Sequence, residues 1–348
     1  MSNKTNSTAT HVVVGTPIFG NPPNMSIRIA IGQLEQVQAT RQETQDWREV
    51  AKNLMMEYCS ILAALAQMKI KFLVADGFRQ HLNSEMPELM RKLAAKLNFQ
   101  RVSLPEVSLD LTVFPRDFAT QLPNGNLLVE FDPKEIKRAG NERKKIKQSP
   151  FGVGGRVLPR CQIALIAEQI YSETCQPIHS NIKPFQNAGL QVGQLPNAVN
   201  TEICAGIQVN VPDDHLDRTS GLLEDTTGNL HLIVDPAIYS GWQNPFSPPL
   251  YGPEQTIEKY QQVCDELGIR LHIPETDRLA VAASVCFWQA ENRKVLMTSG
   301  DEAVADIVTD IVGSNNLFLT PMPIRYFPSW SKAGIRCLIG ELPNWLLK

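Results

Sequence analysis

The sequence predicts an α/β protein, and three observations lead there. Segments with apolar residues at helical spacing alternate with short apolar, β-branched runs along the chain. Hydrophobic residues make up 43% of the 348, as expected of a folded globular protein. The charge is close to balanced, 33 Lys+Arg against 36 Asp+Glu and -3 net, unlike a disordered chain.

The elements follow in order. Residues 1–10 (MSNKTNSTAT) are polar and read as a disordered tail, ahead of a single domain over residues 11–348. The tail lacks the apolar core of a signal peptide, which predicts the cytoplasm and removes the meaning of the sequons at Asn3, Asn6 and Asn24. His11–Gly15 (HVVVG) is a short strand. Gln42–Met68 is a helix, with Trp47, Val50, Leu54, Met55, Ile61, Leu62 and Leu65 on its apolar stripe. A strand at Ile70–Ala75, a helix at Glu85–Leu97 and a strand from Arg101 to Leu104 come next. Leu127–Phe131 is a strand entered through Pro123-Asn124-Gly125-Asn126, whose Asn-Gly pair signals a tight turn. The basic run Lys134–Lys147 reads as a solvated helix or loop. Gln162–Gln176 and Glu254–Leu267 are predicted helices; Leu271–Ile273, Val295–Thr298 and Leu317–Leu319 are predicted strands. Asp301–Val312 has helical spacing with acids in its first turn, where they suit the helix dipole.

Several classes drop out. No apolar run reaches the roughly 18–20 residues that span a bilayer, so no membrane partner is expected. No basic stripe calls for nucleic acid. No Walker A sequence is present, and Gly152-Val153-Gly154-Gly155 lacks the spacing of a dinucleotide-binding loop. The seven cysteines, Cys59, Cys161, Cys175, Cys204, Cys264, Cys286 and Cys337, show no CxxC spacing for a zinc ribbon or redox motif. Taken one at a time they read as small buried hydrophobes.

Three segments could carry chemistry. In Phe114-Pro115-Arg116-Asp117-Phe118 two opposite charges sit among apolar residues near a strand end; alone, this is a local ion pair. In Asp213-Asp214-His215-Leu216-Asp217-Arg218, His215 and Asp217 would share one face of a strand, as a proton carrier and a partner for a cation; Pro212-Asp213-Asp214 fits an exposed turn equally. In Ala333-Gly334-Ile335-Arg336-Cys337-Leu338-Ile339 a cysteine opens an apolar strand, and Arg336 beside it favours the thiolate.

Together these segments resemble the guanidine-modifying enzyme superfamily of arginine deiminase, dimethylarginine dimethylaminohydrolase and the amidinotransferases. The matching motifs are Phe114–Asp117, Val153-Gly154-Gly155, His215-Leu216-Asp217 and Gly334-Ile335-Arg336-Cys337, in that order over nearly the whole chain. The resemblance implies a pentein α/β propeller of five ββαβ units with pseudo-fivefold symmetry, its active site in the central channel. It implies Cys337 as nucleophile and His215 as general acid and base. Asp117 and Asp217 would hold the substrate guanidinium, with Arg116 and Arg336 in the binding site. The other six cysteines stay ordinary. The implied partner is a small guanidino compound. Neither a metal nor an organic cofactor is implied, because the chemistry runs through a covalent thiol.

One position departs from the pattern. Val153 stands where the family usually has a carboxylate, and a valine accepts no hydrogen bond from a guanidinium; Asp132 or Glu135 is the candidate substitute. Three functions follow: a deiminase-type hydrolase, an amidinotransferase, to which the Val12-Val13-Val14-Gly15 opening leans, and a non-catalytic pentein that binds a partner. Ser240–Gly252, rich in Pro, Gly and aromatic residues, is a candidate lid or a plain surface loop.

Overall fold

The computed structural model describes residues 10–15, 47–75, 86–104, 115–122, 125–129, 132–136, 144–148, 154–171, 177–204, 207–213, 215–235, 253–274, 285–324 and 334–347. Val153, Ser240–Gly252 and residues 1–9 of the tail fall outside them.

One motif recurs in five small sheets of three or four strands. An edge strand pairs antiparallel with the next strand in the chain, and that strand pairs parallel with a third. In the first sheet, β1 (Ala119–Gln121) pairs with Leu127–Val129, which pairs with Ile146–Gln148. In the second, β2 (Val157–Arg160) pairs with Ile163–Ala167, then Gln191–Leu195. In the third, β3 (Ser220–Glu224) pairs with Leu230–Val234, then Ile269–His272. In the fourth, β4 (Trp288–Gln289) pairs with Val295–Met297, then Leu317–Leu319. In the fifth, β5 (Ile339–Pro343) pairs with Thr10–Val14, then Phe72–Ala75, then Gln100–Val102. The fifth sheet joins the two ends of the described chain. Two antiparallel ribbons, Gln169–Tyr171 with Pro177–His179 and Ala198–Cys204 with Ile207–Asp213, complete the strands.

Each parallel step needs a crossover, and helices supply most of them. Trp47–Gln67 carries Tyr58, Ile61, Leu62 and Leu65 onto one face, all fully buried against Val14, Val74 and Phe72. Pro253–Leu267 buries Tyr260 and Cys264 on the third sheet. Glu302–Val312 covers the fourth with Val304, Val308, Ile311 and Val312. Asp301 caps it by accepting the Val304 amide at 3.2 Å, and Gly313 stops it with φ 83°. At the first hairpin, Gly125 takes φ 79° and donates to the Leu122 carbonyl, as the Asn-Gly signal predicted.

The expected α/β class and most elements hold, with ends displaced by one to a few residues. The predicted helix at Gln162–Gln176 is instead two strands, Ile163–Ala167 and Gln169–Tyr171. All five residues of Ile163–Ala167 are buried, with a partner strand on either side. Such a strand reads as a continuous apolar run, which periodicity cannot separate from a buried helix. The basic run from Lys134 holds a 3-10 turn at Pro133–Glu135 and the strand Ile146–Gln148, with Ile146 buried. The five edge strands except part of β5 escaped the sequence reading because each is short.

Candidate active site

A short segment precedes each edge strand. Asp117 lies two residues before β1, Gly155 two before β2, Asp217 three before β3, Cys286 two before β4 and Cys337 two before β5. Four of these five meet. The Cys337 thiol donates to Asp217 Oδ2 at 3.3 Å, and both side chains are buried. Cys286 packs on Cys337, and its Sγ, the Cys337 Sγ and an Asp217 oxygen lie within 4.8 Å of one another. His215 Nδ1 stands 4.0 Å from Asp217 Oδ1. A Cβ on Gly155 would fall on Asp217 Oδ1 and His215 Nδ1 and within 2.9 Å of Asp217 Cγ, so only glycine fits there.

Local structure explains these positions. Asp217 sits in the 3-10 turn Leu216–Arg218, and its amide donates to the Gly155 carbonyl at 3.0 Å. The strand expected for His215 and Asp217 is therefore corrected: Asp217 is in a helical turn and His215 is its N-cap, and their approach comes from the turn. Cys337 likewise lies in a short helix, Ile335–Leu338, rather than at the start of the strand, which begins at Ile339. That helix packs against Pro115–Phe118, the turn holding Arg116 and Asp117. The Asp117 side chain lies outside the described residues.

Two arginines dominate the local charge. Arg116 and Arg336 are 7% and 9% exposed. Among the described residues, Arg116 Nε and Nη2 and Arg336 Nη1 have no hydrogen-bond partner, a costly arrangement for buried donors. Burial and then Arg116 pull the Arg336 guanidinium down to about 9, against the opposing pull of Asp217, Cys286 and Cys337; it stays charged at neutral pH. Glu341, on β5, is pushed up by burial, with Arg116, Arg160 and Arg336 opposing and Glu291 reinforcing.

The opposite ends of the edge strands line a cavity of about 390 Å³ bounded by Thr10, Gln121, Arg160, Glu224, Glu291 and Glu341 among others. Arg160 donates there to the carbonyls of Gln289 and Ala290 at 3.1 and 3.3 Å and approaches Glu224 at 3.6 Å, tying β2, β3 and β4 together. Residues of the edge strands or of the segments beside them line this cavity, whereas the cysteines and Asp217 lie just before their strands.

Of the residues expected from sequence, Cys337, His215, Asp217, Arg116 and Arg336 come together. Cys286 was missed. Its signal was faint but present: Cys286-Phe287-Trp288 and Cys337-Leu338-Ile339 are both a cysteine followed by apolar residues entering a strand. Asp217, Cys286 and Cys337 are also the three described side chains grouped closely enough to hold a metal ion.

No family model matches the chain, and no curated protein matches it in sequence. Among solved structures it is similar to a dimethylarginine dimethylaminohydrolase adduct with 4-chloro-2-hydroxymethylpyridine, at TM-score 0.44 and 11% identity over 95% of this chain and 99% of that one. It is also similar to the N-terminal domain of ArgZ, an arginine dihydrolase from the ornithine-ammonia cycle in cyanobacteria, bound to substrate: TM-score 0.42 and 14% identity over 77% of this chain and 96% of that one. The same domain covalently bonded to a reaction intermediate gives the same values.

Proposed function

We propose that this chain is a cysteine-dependent hydrolase of a guanidino compound, with its five sheets arranged as the blades of a pentein. The observation that carries the reading is the buried contact of the Cys337 thiol with Asp217 Oδ2 at 3.3 Å, with His215 on the other carboxylate oxygen. Arg336, which interacts with the Cys337 sulfur, favours the thiolate against the opposing charge of Asp217, and His215 takes the thiol proton in this reading. The Gly334-Ile335-Arg336-Cys337 motif named from sequence supports the same assignment.

The proposed steps are those that the resemblance implies for these residues. A substrate guanidinium donates to Asp217 and Asp117, displacing the Cys337 thiol from Asp217 and fixing the planar carbon beside the sulfur. The Cys337 thiolate attacks that carbon and forms the C–S bond. His215 delivers a proton to the leaving nitrogen as its bond to carbon breaks, leaving an S-alkylthiouronium. His215 then takes a proton from water, which adds to the same carbon. The C–S bond breaks and a ureido product leaves with the thiolate restored.

Arg116 and Arg336 bear on the substrate class. Two buried guanidinium groups with nitrogens lacking partners among the described residues suit an anion, so the substrate of this reading carries a carboxylate as well as its guanidino group. That also fits Val153 in place of a carboxylate: the site supplies fewer anions and more cations than a site for a bare guanidinium needs.

The test is a panel of arginine, methylarginines and agmatine. Expected are a ureido product from the carboxylate-bearing members and a covalent adduct on Cys337 by mass, both lost in Cys337→Ala. No ureido product together with no adduct overturns the reading. Transfer to added glycine without ureido product replaces it with an amidinotransferase.

A further inference from the structure

We propose that Cys286 and Cys337 form a reversible disulfide under hydroperoxides, with Cys286 resolving an oxidised Cys337. The effect on turnover rests on the nucleophile reading above; the disulfide itself does not.

The geometry comes first. Both cysteines are 1% exposed, pack on each other, and place their sulfurs within 4.8 Å. A disulfide requires about 2.05 Å between sulfurs, so side-chain rotation must close the remainder. Both cysteines lie two residues before an edge strand and outside the strand ladders, Cys337 in the short helix Ile335–Leu338 and Cys286 ahead of β4. The Cys286 side chain fills the space that a side chain at 334 would take: a Cβ on Gly334 would fall on Cys286 Sγ and Cβ.

The charges choose oxidation over metal binding. Asp217 and the two sulfurs offer three donors, but the guanidinium of Arg336 interacts with both sulfurs and with Asp217, and Arg116 adds a second positive charge. A divalent cation at that point would meet both. The same charges stabilise a thiolate, the form that reacts with peroxide.

The chemistry balances with a hydroperoxide as the oxidant. The Cys337 thiolate attacks one peroxide oxygen; the S–O bond forms, the O–O bond breaks, and the departing oxygen leaves as water or alcohol after taking a proton. Cys286 then attacks the Cys337 sulfur. The S–S bond forms, the S–O bond breaks, and hydroxide leaves as water with the Cys286 proton. Two thiols are oxidised by two electrons and one hydroperoxide is reduced. Oxidation beyond the sulfenic acid, which is irreversible, is thereby intercepted.

The experiment uses the full chain. Reduced protein is treated with hydrogen peroxide, alkylated without reductant, digested and mapped by mass. Expected is a linked pair of peptides carrying Cys286 and Cys337, two hydrogens lighter than the sum, and two fewer alkylatable thiols, both reversed by dithiothreitol. Cys286→Ser and Cys286→Ala protein should give sulfinic acid on Cys337 instead, with no recovery. Cys286 still alkylatable beside an oxidised Cys337 overturns the proposal, as does linkage of either residue to Cys161 or Cys59. A stoichiometric zinc ion in native mass spectra, shielding both thiols from peroxide, overturns it in favour of a metal site. If the disulfide forms in protein that shows no guanidino turnover, the functional reading fails and this one stands.

Discussion

Gly155→Ala isolates the packing that brings the site together. The added methyl would lie on Asp217 Oδ1 and His215 Nδ1 and 2.9 Å from Asp217 Cγ, inside van der Waals contact with all three. Relief cannot come from Asp217 moving freely, since it is fully buried and its amide is bonded to Gly155 itself. Overpacking of this kind costs about 1–3 kcal/mol. At roughly 2.1 cal/mol/K of unfolding entropy per residue, the 348-residue chain loses about 1–4 °C of Tm. The functional loss is larger. A displacement of Asp217 and His215 of about 1 Å costs on the order of 100-fold in turnover, about 2.7 kcal/mol of barrier. The assays are differential scanning fluorimetry and iodoacetamide alkylation of Cys337, with turnover on the substrate found in the panel. In the double variant Gly155→Ala, Asp217→Ala the two stability costs should fall short of their sum by about 1 kcal/mol, since the clashing carboxylate is gone. A Gly155→Ala protein with wild-type Tm and wild-type Cys337 alkylation refutes the close approach on which the site is built.

Two further outcomes test charge. Arg336→Gln should raise KM for carboxylate-bearing substrates about 10–100-fold, the worth of a hydrogen bond to a charged group, while agmatine, which has no carboxylate, changes little; equal effects on both remove Arg336 from anion recognition. Away from the site, His231 Nδ1 meets His272 Nε2 at 2.9 Å, and burial, then His231, then Arg270 hold His272 below its ordinary value of 6.5. The unfolded chain then binds more protons than the folded one just below pH 6.5, so Tm falls as pH drops through that value. His272→Asn flattens this part of the Tm–pH curve, and superposable curves for the two proteins show that the pair does not set acid stability.

Sequence determined the α/β class, the principal helices and several of the residues that meet in the candidate site. Ile61, Leu62 and Leu65 on the stripe, the acidic start of the helix Glu302–Val312 and the Asn-Gly hairpin each follow from local spacing, and each appears in the structure. Local motifs also picked out Arg116, His215, Asp217, Arg336 and Cys337, because charge among apolar residues and a cysteine after arginine leave a mark within a few residues. The five edge strands, apart from the start of β5, left none. They are two to five residues long, and a strand of that length is defined by its neighbours rather than by its own pattern. The all-buried strand Ile163–Ala167 misled for the same reason: burial on both faces erases the alternation that marks a strand.

What only the tertiary structure decided is which residues meet. Gly155 and Asp217 are far apart in sequence, as are Cys286 and Cys337, and nothing local states that one must be glycine or that the other two form a pair. The short segments just before the edge strands of four sheets bring those residues together. Tertiary packing makes Gly155 obligatory, leaves Arg116 and Arg336 buried with nitrogens lacking partners among the described residues, and sets a second thiol against Cys337. Periodicity reports only which face of an element is apolar, whereas the distance between two side chains on different sheets is fixed by the packing of the sheets themselves.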